Sequence, residues 1–381
     1  MKEKRYSIIS FIAAFVFCAA LFSGCMEQTS QVAEEQLNSI YPSAEVGEHT
    51  SLIYPATEVE EPVSNNVNQV EEVSILEIPL PEPLNSRDAE ISGMDWYGDK
   101  LVLLPQYPSR FKQDGSSSLF YIEKADILSY IQNPTGEVLA VHAIPFDEQG
   151  IQKILKGFEG FEAIAFSEDY FYITVETKPG SNMKGYLFRG EVGDGLSSLA
   201  LDVESYQAIE PQADFSNSSD EALIIFQDSI YTFYEANGQK QNPNPVAHVF
   251  DFNLKAIGLT SVPNVEYRVT DATRVDAEGY FWVMNYFYPG DKHLKPEIDP
   301  IAAMYGEGPS HLENETVERL LKLRVSEAGI VLIDQAPIQF VLLPGDEARN
   351  WEGLVKLDEL GFLVATDKFP ETILGFCEIL R

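Results

Sequence analysis

The 381-residue sequence is poor in positive charge and in cysteine. It has 26 Lys and Arg against 60 Asp and Glu, which gives a formal net charge of −34. Nucleic-acid binding needs clustered basic side chains that neutralise phosphates, so the composition argues against that class of partner. Three cysteines without a CxxC pair rule out a disulfide framework, and five unclustered histidines leave no pattern for zinc or copper.

Residues 1–24 have the pattern of an export signal. Basic residues open the segment, residues 8–22 are apolar, and small residues stand directly before Cys25. A cysteine at such a cut resembles the bacterial lipoprotein signal. We therefore expect removal of residues 1–24, a lipid on Cys25, and attachment to the extracytoplasmic face of a bacterial membrane in the cell envelope. An uncleaved anchor is the alternative, although the apolar run is short for a spanning helix.

The following segment, residues 25–72, is interpreted as an acidic, disordered tether. Between Met26 and Ser86 there are twelve acidic residues and no Lys or Arg. Like charges keep such a chain extended, so the segment would space the folded domain from its anchor. Because the negative charge disfavours docking to anionic lipid, we expect membrane contact through the lipid alone.

From residue 73 to residue 381 the sequence has an all-β pattern of short apolar runs separated by turns. Five segments resemble one another, and each opens with an oxygen-bearing side chain and leads through a turn into a second strand. The opening residues are Ser92, Glu162, Glu221, Thr270 and Glu352.

The opening residues stand 70, 59, 49 and 82 residues apart. Repeats of roughly 40–50 residues or more that hold several strands are typical of propeller blades. We predict a single β-propeller of five blades, and a sixth blade is the alternative because the interval from 270 to 352 is long enough to hide one. The last blade lacks a strand, and residues 74–80 can supply it. The N-terminal strand would then close the ring and leave no free edge. A β-sandwich is the weaker alternative, since it does not require similar segments.

The opening residues are candidate metal ligands. If the repeats are equivalent, these side chains face one another across one channel, where three unpaired carboxylates would raise one another's pKa. A hard divalent cation removes that penalty, and calcium takes about six to eight oxygens from carboxylates, neutral groups and water. We therefore expect calcium to bind Ser92, Glu162, Glu221, Thr270 and Glu352. A wet, polar channel mouth without a metal is the alternative.

A second ring of candidates lies near the ends of the second strands. Glu176 and Asp367 are the carboxylates that would orient a water molecule. Lys178, Lys368 and Arg349 lie nearby in a chain with few cations, so they are candidates for holding a phosphate or carboxylate. Ion pairing with neighbouring acidic side chains is the alternative for these three cations.

Several segments carry a resemblance to a known family. Residues 158–166, 350–354 and 361–370 resemble the phytase-like, or esterase-like, propeller family, and the resemblance covers about residues 85–380. The order Ser, Glu, Glu, Thr, Glu is also similar to the channel site of calcium-activated apyrase, with Thr270 in place of a serine. The first resemblance implies an exported propeller and a hydrolase. The second implies a calcium ion in the channel.

Together these features predict a lipid-anchored, calcium-binding propeller that hydrolyses a phosphoester or phosphoanhydride of a small anionic substrate at the channel mouth. The alternative is a non-catalytic module that binds a glycan, a peptide or an envelope partner, in which calcium only holds the blades together. A structural propeller without a metal is the third hypothesis. A monomer is expected in each case.

Overall fold

The computed structural model describes residues 70–379, apart from residues 114, 214–217 and 346. The predicted signal peptide, Cys25 and the tether up to residue 69 lie outside the described residues. In the part of the chain that is described, no helix has the length and apolar character needed to cross a bilayer.

The described chain contains 22 strands that group into the predicted repeats. It opens with β1 (Glu72–Val73) and β2 (Ile75–Ile78). The first unit contains β3 (Ile91–Tyr97), β4 (Lys100–Pro105), β5 (Ser117–Glu123) and β6 (His142–Asp147). The second unit contains β7 (Phe158–Ser167), β8 (Tyr170–Thr177), β9 (Lys184–Val192) and β10 (Leu199–Ile209).

The third unit contains β11 (Asp220–Phe226), β12 (Ser229–Tyr234), β13 (Val246–Phe250) and β14 (Ala256–Ser261). The fourth contains β15 (Arg268–Ala272), β16 (Tyr280–Phe287), β17 (Val317–Ser326), β18 (Gly329–Leu332) and β19 (Ile338–Phe340). The fifth contains β20 (Trp351–Leu357), β21 (Gly361–Thr366) and β22 (Leu374–Glu378).

Short helices lie in the connections. The α-helices of the described residues are α1 (Lys124–Gln132), α2 (Ile151–Ile154), α3 (Pro300–Tyr305) and α4 (Pro309–Glu313). Single 3₁₀ turns occur at Pro108–Arg110, Asp194–Leu196 and Lys292–Leu294. Asp299 caps α3, because its carboxylate accepts hydrogen bonds from the backbone N–H groups of Ile301 and Ala302.

Within each unit, consecutive strands pair antiparallel as a meander, except that β18 and β19 of the fourth unit both pair with β17. The first and second units share one sheet because β6 and β10 pair in parallel, with Leu199 opposite Phe146. The predicted closing strand is present: β2 pairs antiparallel with β22, with Ile75 opposite Cys377. Glu72, the last residue of the predicted tether, already pairs with β19 of the fourth unit through β1.

The first strands of the units pack side by side in a closed cycle. In the described chain β3 packs against β7, β7 against β11, β11 against β15, β15 against β20, and β20 against β3. Antiparallel four-stranded units whose first strands surround a common axis define a β-propeller. The prediction of an all-β propeller with an N-terminal closing strand is therefore confirmed.

Strand β4 shows how the units bury their apolar side chains. Leu101 and Leu103 pack into a core shared with the fifth unit, whereas Val102 and Leu104 pack into a core shared with the second unit. Successive side chains of a strand point to opposite faces of its sheet, so a strand between two sheets needs an unbroken apolar run. These cores fix the first strands around the axis and thereby position the site.

Candidate functional site

Each predicted opening residue lies at a β-bulge in the first strand of its unit. The register between the first and second strands shifts at Ser92 in β3, Glu162 in β7, Glu221 in β11, Thr270 in β15 and Glu352 in β20. A bulged residue has no direct partner on the neighbouring strand, so its side chain is re-aimed. The repeat alignment thus corresponds to one local geometry that recurs in all of these units.

Three of the opening residues meet in one cavity. Glu162, Glu221 and Glu352 line a space of about 740 Å³ at one mouth of the channel. Glu176, near the end of β8, and Asp367, directly after β21, line the same space. The structure therefore brings together the predicted metal-binding glutamates and both predicted catalytic carboxylates.

Eight acidic and three basic side chains line this space, which we call the acidic cavity. The acidic residues are Glu159, Glu162, Glu176, Glu221, Asp291, Glu347, Glu352 and Asp367. The basic residues are Arg87, Lys178 and Arg268, and the aromatic residues are Tyr107, Tyr286, Tyr288 and Phe369. The excess of carboxylates makes a cation the expected first ligand of the cavity.

The two hydroxyl residues have a different position from the glutamates. Ser92 Oγ donates to the Phe161 carbonyl at 2.6 Å, and Thr270 Oγ1 donates to the Trp351 carbonyl at 2.6 Å. Both side chains are buried and neither lines the acidic cavity. The structure therefore does not bring Ser92 and Thr270 to the glutamates as predicted, because each hydroxyl instead joins its strand to the first strand of the next unit.

Burial and mutual repulsion disfavour the charged form of the three ring glutamates. Burial raises the pKa of Glu162 well above its usual range, and the charges of Glu176 and Glu221 raise it further. The pKa values of Glu221 and Glu352 are raised well above the usual range in the same way, chiefly by burial and then by neighbouring carboxylates. The positive charge of Arg268 opposes these effects and lowers the pKa of Glu221 and of Glu352. Such perturbed groups in a cavity are typical of functional sites.

The two predicted catalytic carboxyls titrate near neutrality. Burial raises the pKa of Glu176 to about 7, and Glu159 adds to the effect. Burial also raises the pKa of Asp367 to about 7, with a further contribution from Glu90. A carboxyl with such a pKa can hold or accept a proton at neutral pH, which general acid–base chemistry requires.

The cavity carboxylates are incompletely hydrogen-bonded by the described residues. Glu162 Oε1 accepts from Gln106 Nε2 at 3.2 Å, and Glu352 Oε1 accepts from Asn350 Nδ2 at 2.6 Å. Glu221 Oε2 and Asp367 Oδ1 are buried without a hydrogen-bond partner in the described chain. Buried oxygens of this kind are costly unless a ligand, an ion or water satisfies them.

The predicted cations separate into two groups. Lys178 lines the acidic cavity. Lys368 and Arg349 do not, because Lys368 Nζ contacts Glu90 Oε1 at 2.5 Å and Arg349 Nη2 contacts the fully buried Glu318 at 2.7 Å. For these two residues the structure has the ion pairing that the sequence left open as the alternative.

Several residues that line the cavity were not predicted from the sequence, and two of them share a position in the repeat. Arg268 and Asn350 each stand two positions before an opening residue, and that shared offset was the signal that could have identified them. Arg268 is fixed by ion pairs with Glu235 and Asp291, the latter at 2.8 Å. Two consecutive residues in the left-handed region, Glu266 and Tyr267, directly precede it.

The donor set suits a hard cation, although no metal site is preformed. Across the described residues, no group of three or more His, Cys, Asp or Glu side chains stands ready to hold a metal ion. The cavity lining nevertheless holds eight carboxylates and neither histidine nor cysteine, and two of its carboxylate oxygens are buried without partners among the described residues. Carboxylate and amide oxygens are the ligands that calcium prefers, so the residue types of Glu162, Glu221 and Glu352 suit this ion.

Comparison with known proteins gives structural similarity only. No family model matches the sequence, and no curated protein matches it. A glucose dehydrogenase structure has a TM-score of 0.41 at 11% identity and covers 81% of this chain and 100% of its own.

Two further solved structures are similar to the same extent. A glycosyl hydrolase from Bacteroides ovatus has a TM-score of 0.41 at 8% identity and covers 80% of this chain and 94% of its own. The soluble aldose sugar dehydrogenase from Escherichia coli has a TM-score of 0.40 at 8% identity and covers 81% of this chain and 100% of its own. Because the TM-scores and identities are low, these structures carry no argument about the function of this chain.

Proposed function

We propose that the acidic cavity binds calcium and that the protein is a hydrolase of a small phosphoester or phosphoanhydride held at this mouth. The observation that carries the proposal is the convergence of three bulged glutamates with Glu176 and Asp367 in one cavity. The resemblance to the phytase-like propeller family supports the reaction class. The N-terminal pattern supports a lipid anchor on Cys25 and a place in the bacterial envelope.

The glutamates at the bulges are the residues that would hold the ion. Glu162, Glu221 and Glu352 would coordinate calcium, and the side-chain oxygens of Gln106 and Asn350 lie within the same lining. Bound calcium would polarise a substrate oxygen and offset the charge of the carboxylates. Ser92 and Thr270 would support the site from behind through their hydrogen bonds to the neighbouring strands.

The remaining lining residues would act on the substrate and on water. Glu176 and Asp367, whose pKa values are about 7, would orient a water molecule and take its proton at neutral pH. Lys178 would hold a substrate anion through its ammonium group. The cavity volume of about 740 Å³ is that of a small-molecule site.

The proposal is tested with the full chain purified in detergent. We expect calcium to raise the Tm and to be required for hydrolysis of at least one of p-nitrophenyl phosphate, a nucleoside diphosphate and inositol hexakisphosphate. Glu162→Gln and Glu352→Gln should abolish both effects and retain the fold, while the exposed Glu137→Gln serves as the matched control. Calcium stabilisation without turnover of any substrate would favour the non-catalytic binding module. No calcium effect at all would refute the proposal.

A further inference from the structure

Glu90 is a buried carboxylate in an unusual backbone conformation. Its φ of 44° lies in the left-handed region, and its side chain is only 3% exposed. A left-handed residue with a side chain costs about 1 kcal/mol, and burying its charge costs more. Such a residue persists only where its surroundings hold it firmly, which frequently marks a functional constraint.

Two cations from different units hold this carboxylate. Arg110 Nη1 contacts Glu90 Oε2 at 2.6 Å, and Lys368 Nζ contacts Glu90 Oε1 at 2.5 Å. Arg110 lies between β4 and β5 of the first unit, whereas Lys368 follows β21 of the fifth unit. Glu90 therefore pairs with both cations, through one carboxylate oxygen each, at the junction where the ring of first strands closes.

This junction lies directly behind the wall of the acidic cavity. Arg110 stacks on the ring of Tyr107 at 4.1 Å, and Lys368 is bonded in sequence to Asp367. Tyr107 and Asp367 line the cavity, whereas Glu90, Arg110 and Lys368 do not. Lys368 and Arg110 also act on the cavity electrostatically, because both lower the pKa of Asp367 against the larger effect of burial.

We propose that Glu90 is a positioning residue that keeps Lys368 and Arg110 out of the acidic cavity, so that its carboxylates stay available to a divalent cation. Without Glu90, the nearest concentration of negative charge is the cavity itself, where acidic side chains outnumber basic ones eight to three. The freed ammonium of Lys368 would then pair with Asp367 and compete with calcium. This inference rests on the calcium binding proposed above.

The test compares calcium affinities of the full chain by titration calorimetry. Glu90→Gln should weaken calcium binding about tenfold, because an added positive charge opposes a divalent cation in a partly buried site. Adding Lys368→Gln to Glu90→Gln removes the competing ammonium and should restore most of the affinity. A role confined to stability predicts no such recovery.

A matched control exists between the same two units. Lys124 Nζ pairs with Asp358 Oδ1 at 2.6 Å, and neither residue lines the acidic cavity. Asp358→Asn breaks this ion pair between the first and fifth units, so any general effect of a lost contact between these units appears here as well. We expect its calcium affinity to stay within about twofold of the wild type, as for an exposed ion pair.

The outcomes separate this inference from the proposed function. Wild-type protein that binds no calcium overturns both. Wild-type binding with unchanged affinity in Glu90→Gln, or with no recovery in the double variant, overturns only the inference about Glu90.

If Glu90→Gln does not fold, Lys368→Gln alone decides the question. We expect little change in its calcium affinity, because its ammonium is held away from the cavity. If Lys368→Gln bound calcium about tenfold more tightly than the wild type, Lys368 would already compete with calcium in the native protein. That result would overturn the inference.

Discussion

Metal-free protein should become less stable as the pH rises from about 5 to about 8, which is the reverse of ordinary acid denaturation. The reason is the group of buried carboxyls in the acidic cavity, whose folded-state pKa values are raised. Between its ordinary pKa of 4.5 and the folded value of about 7, Glu176 keeps a proton in the folded state that the unfolded chain releases. Stability falls with pH wherever the folded state binds more protons.

The size of the effect follows from the shift of Glu176. A change of one pKa unit corresponds to about 1.4 kcal/mol, so the rise from 4.5 to about 7 removes about 3 kcal/mol of unfolding free energy. In a domain of this size, 1 kcal/mol changes the Tm by about 2–3 °C. We therefore expect a fall of about 5–10 °C in Tm, to which the other cavity carboxyls contribute in the same direction.

Calorimetry of the full chain in detergent and metal-depleted buffer measures this fall. Glu176→Gln should reduce the pH-dependent loss of unfolding free energy by about 3 kcal/mol. Exposed Glu137→Gln should leave it unchanged. Calcium at about one hundred times its Kd should raise the free energy of unfolding by about 2.7 kcal/mol at the higher pH. A metal-free Tm that stays constant or increases over this interval would refute the reasoning about the cavity carboxyls.

Two further predictions concern residues that the sequence placed in the site and the structure places behind it. Ser92→Ala removes the donor to the Phe161 carbonyl and should cost about 1–2 kcal/mol in denaturant unfolding. Because Ser92 only fixes the backbone beside Glu162, calcium binding should weaken but persist, and a loss of binding as complete as in Glu162→Gln would make Ser92 a ligand. Arg349→Met leaves the fully buried Glu318 without its ion pair and should lower the free energy of unfolding by about 3–5 kcal/mol. A decrease below about 1 kcal/mol in the same assay would contradict this structural role of Arg349.

The blade pattern could be predicted from the sequence because it is local. A hairpin with an apolar first strand, a turn and an apolar second strand spans fewer than about twenty residues and recurs in every unit. The opening residues could be aligned for the same reason, since the bulge is a property of one hairpin. Helix α1 was missed because its nine residues form too short a segment for a clear helical period, and only Ile127 and Tyr130 are buried.

The ion-pair partners of the charged side chains could not be predicted, because these pairs form between segments that are distant in the sequence. Lys368 pairs with a carboxylate 278 residues earlier in the chain, and Arg349 with one 31 residues earlier. In the sequence both cations stand beside site residues and cannot be distinguished from Lys178, which does line the cavity. Only the closure of the ring between the first and fifth units brings Glu90 to Lys368.

The hydroxyl positions show why equivalent sites in a repeat need not have equivalent roles. Ser92 donates to the carbonyl of the residue before Glu162, and Thr270 donates to the carbonyl of the residue before Glu352. Each hydroxyl therefore fixes the backbone from which a cavity glutamate projects. A carboxylate at either position would lose that donor and add a further negative charge beside groups whose pKa values are already raised by their neighbours. Hydroxyls at two of the opening positions thus limit repulsion in the channel and hold Glu162 and Glu352 in place.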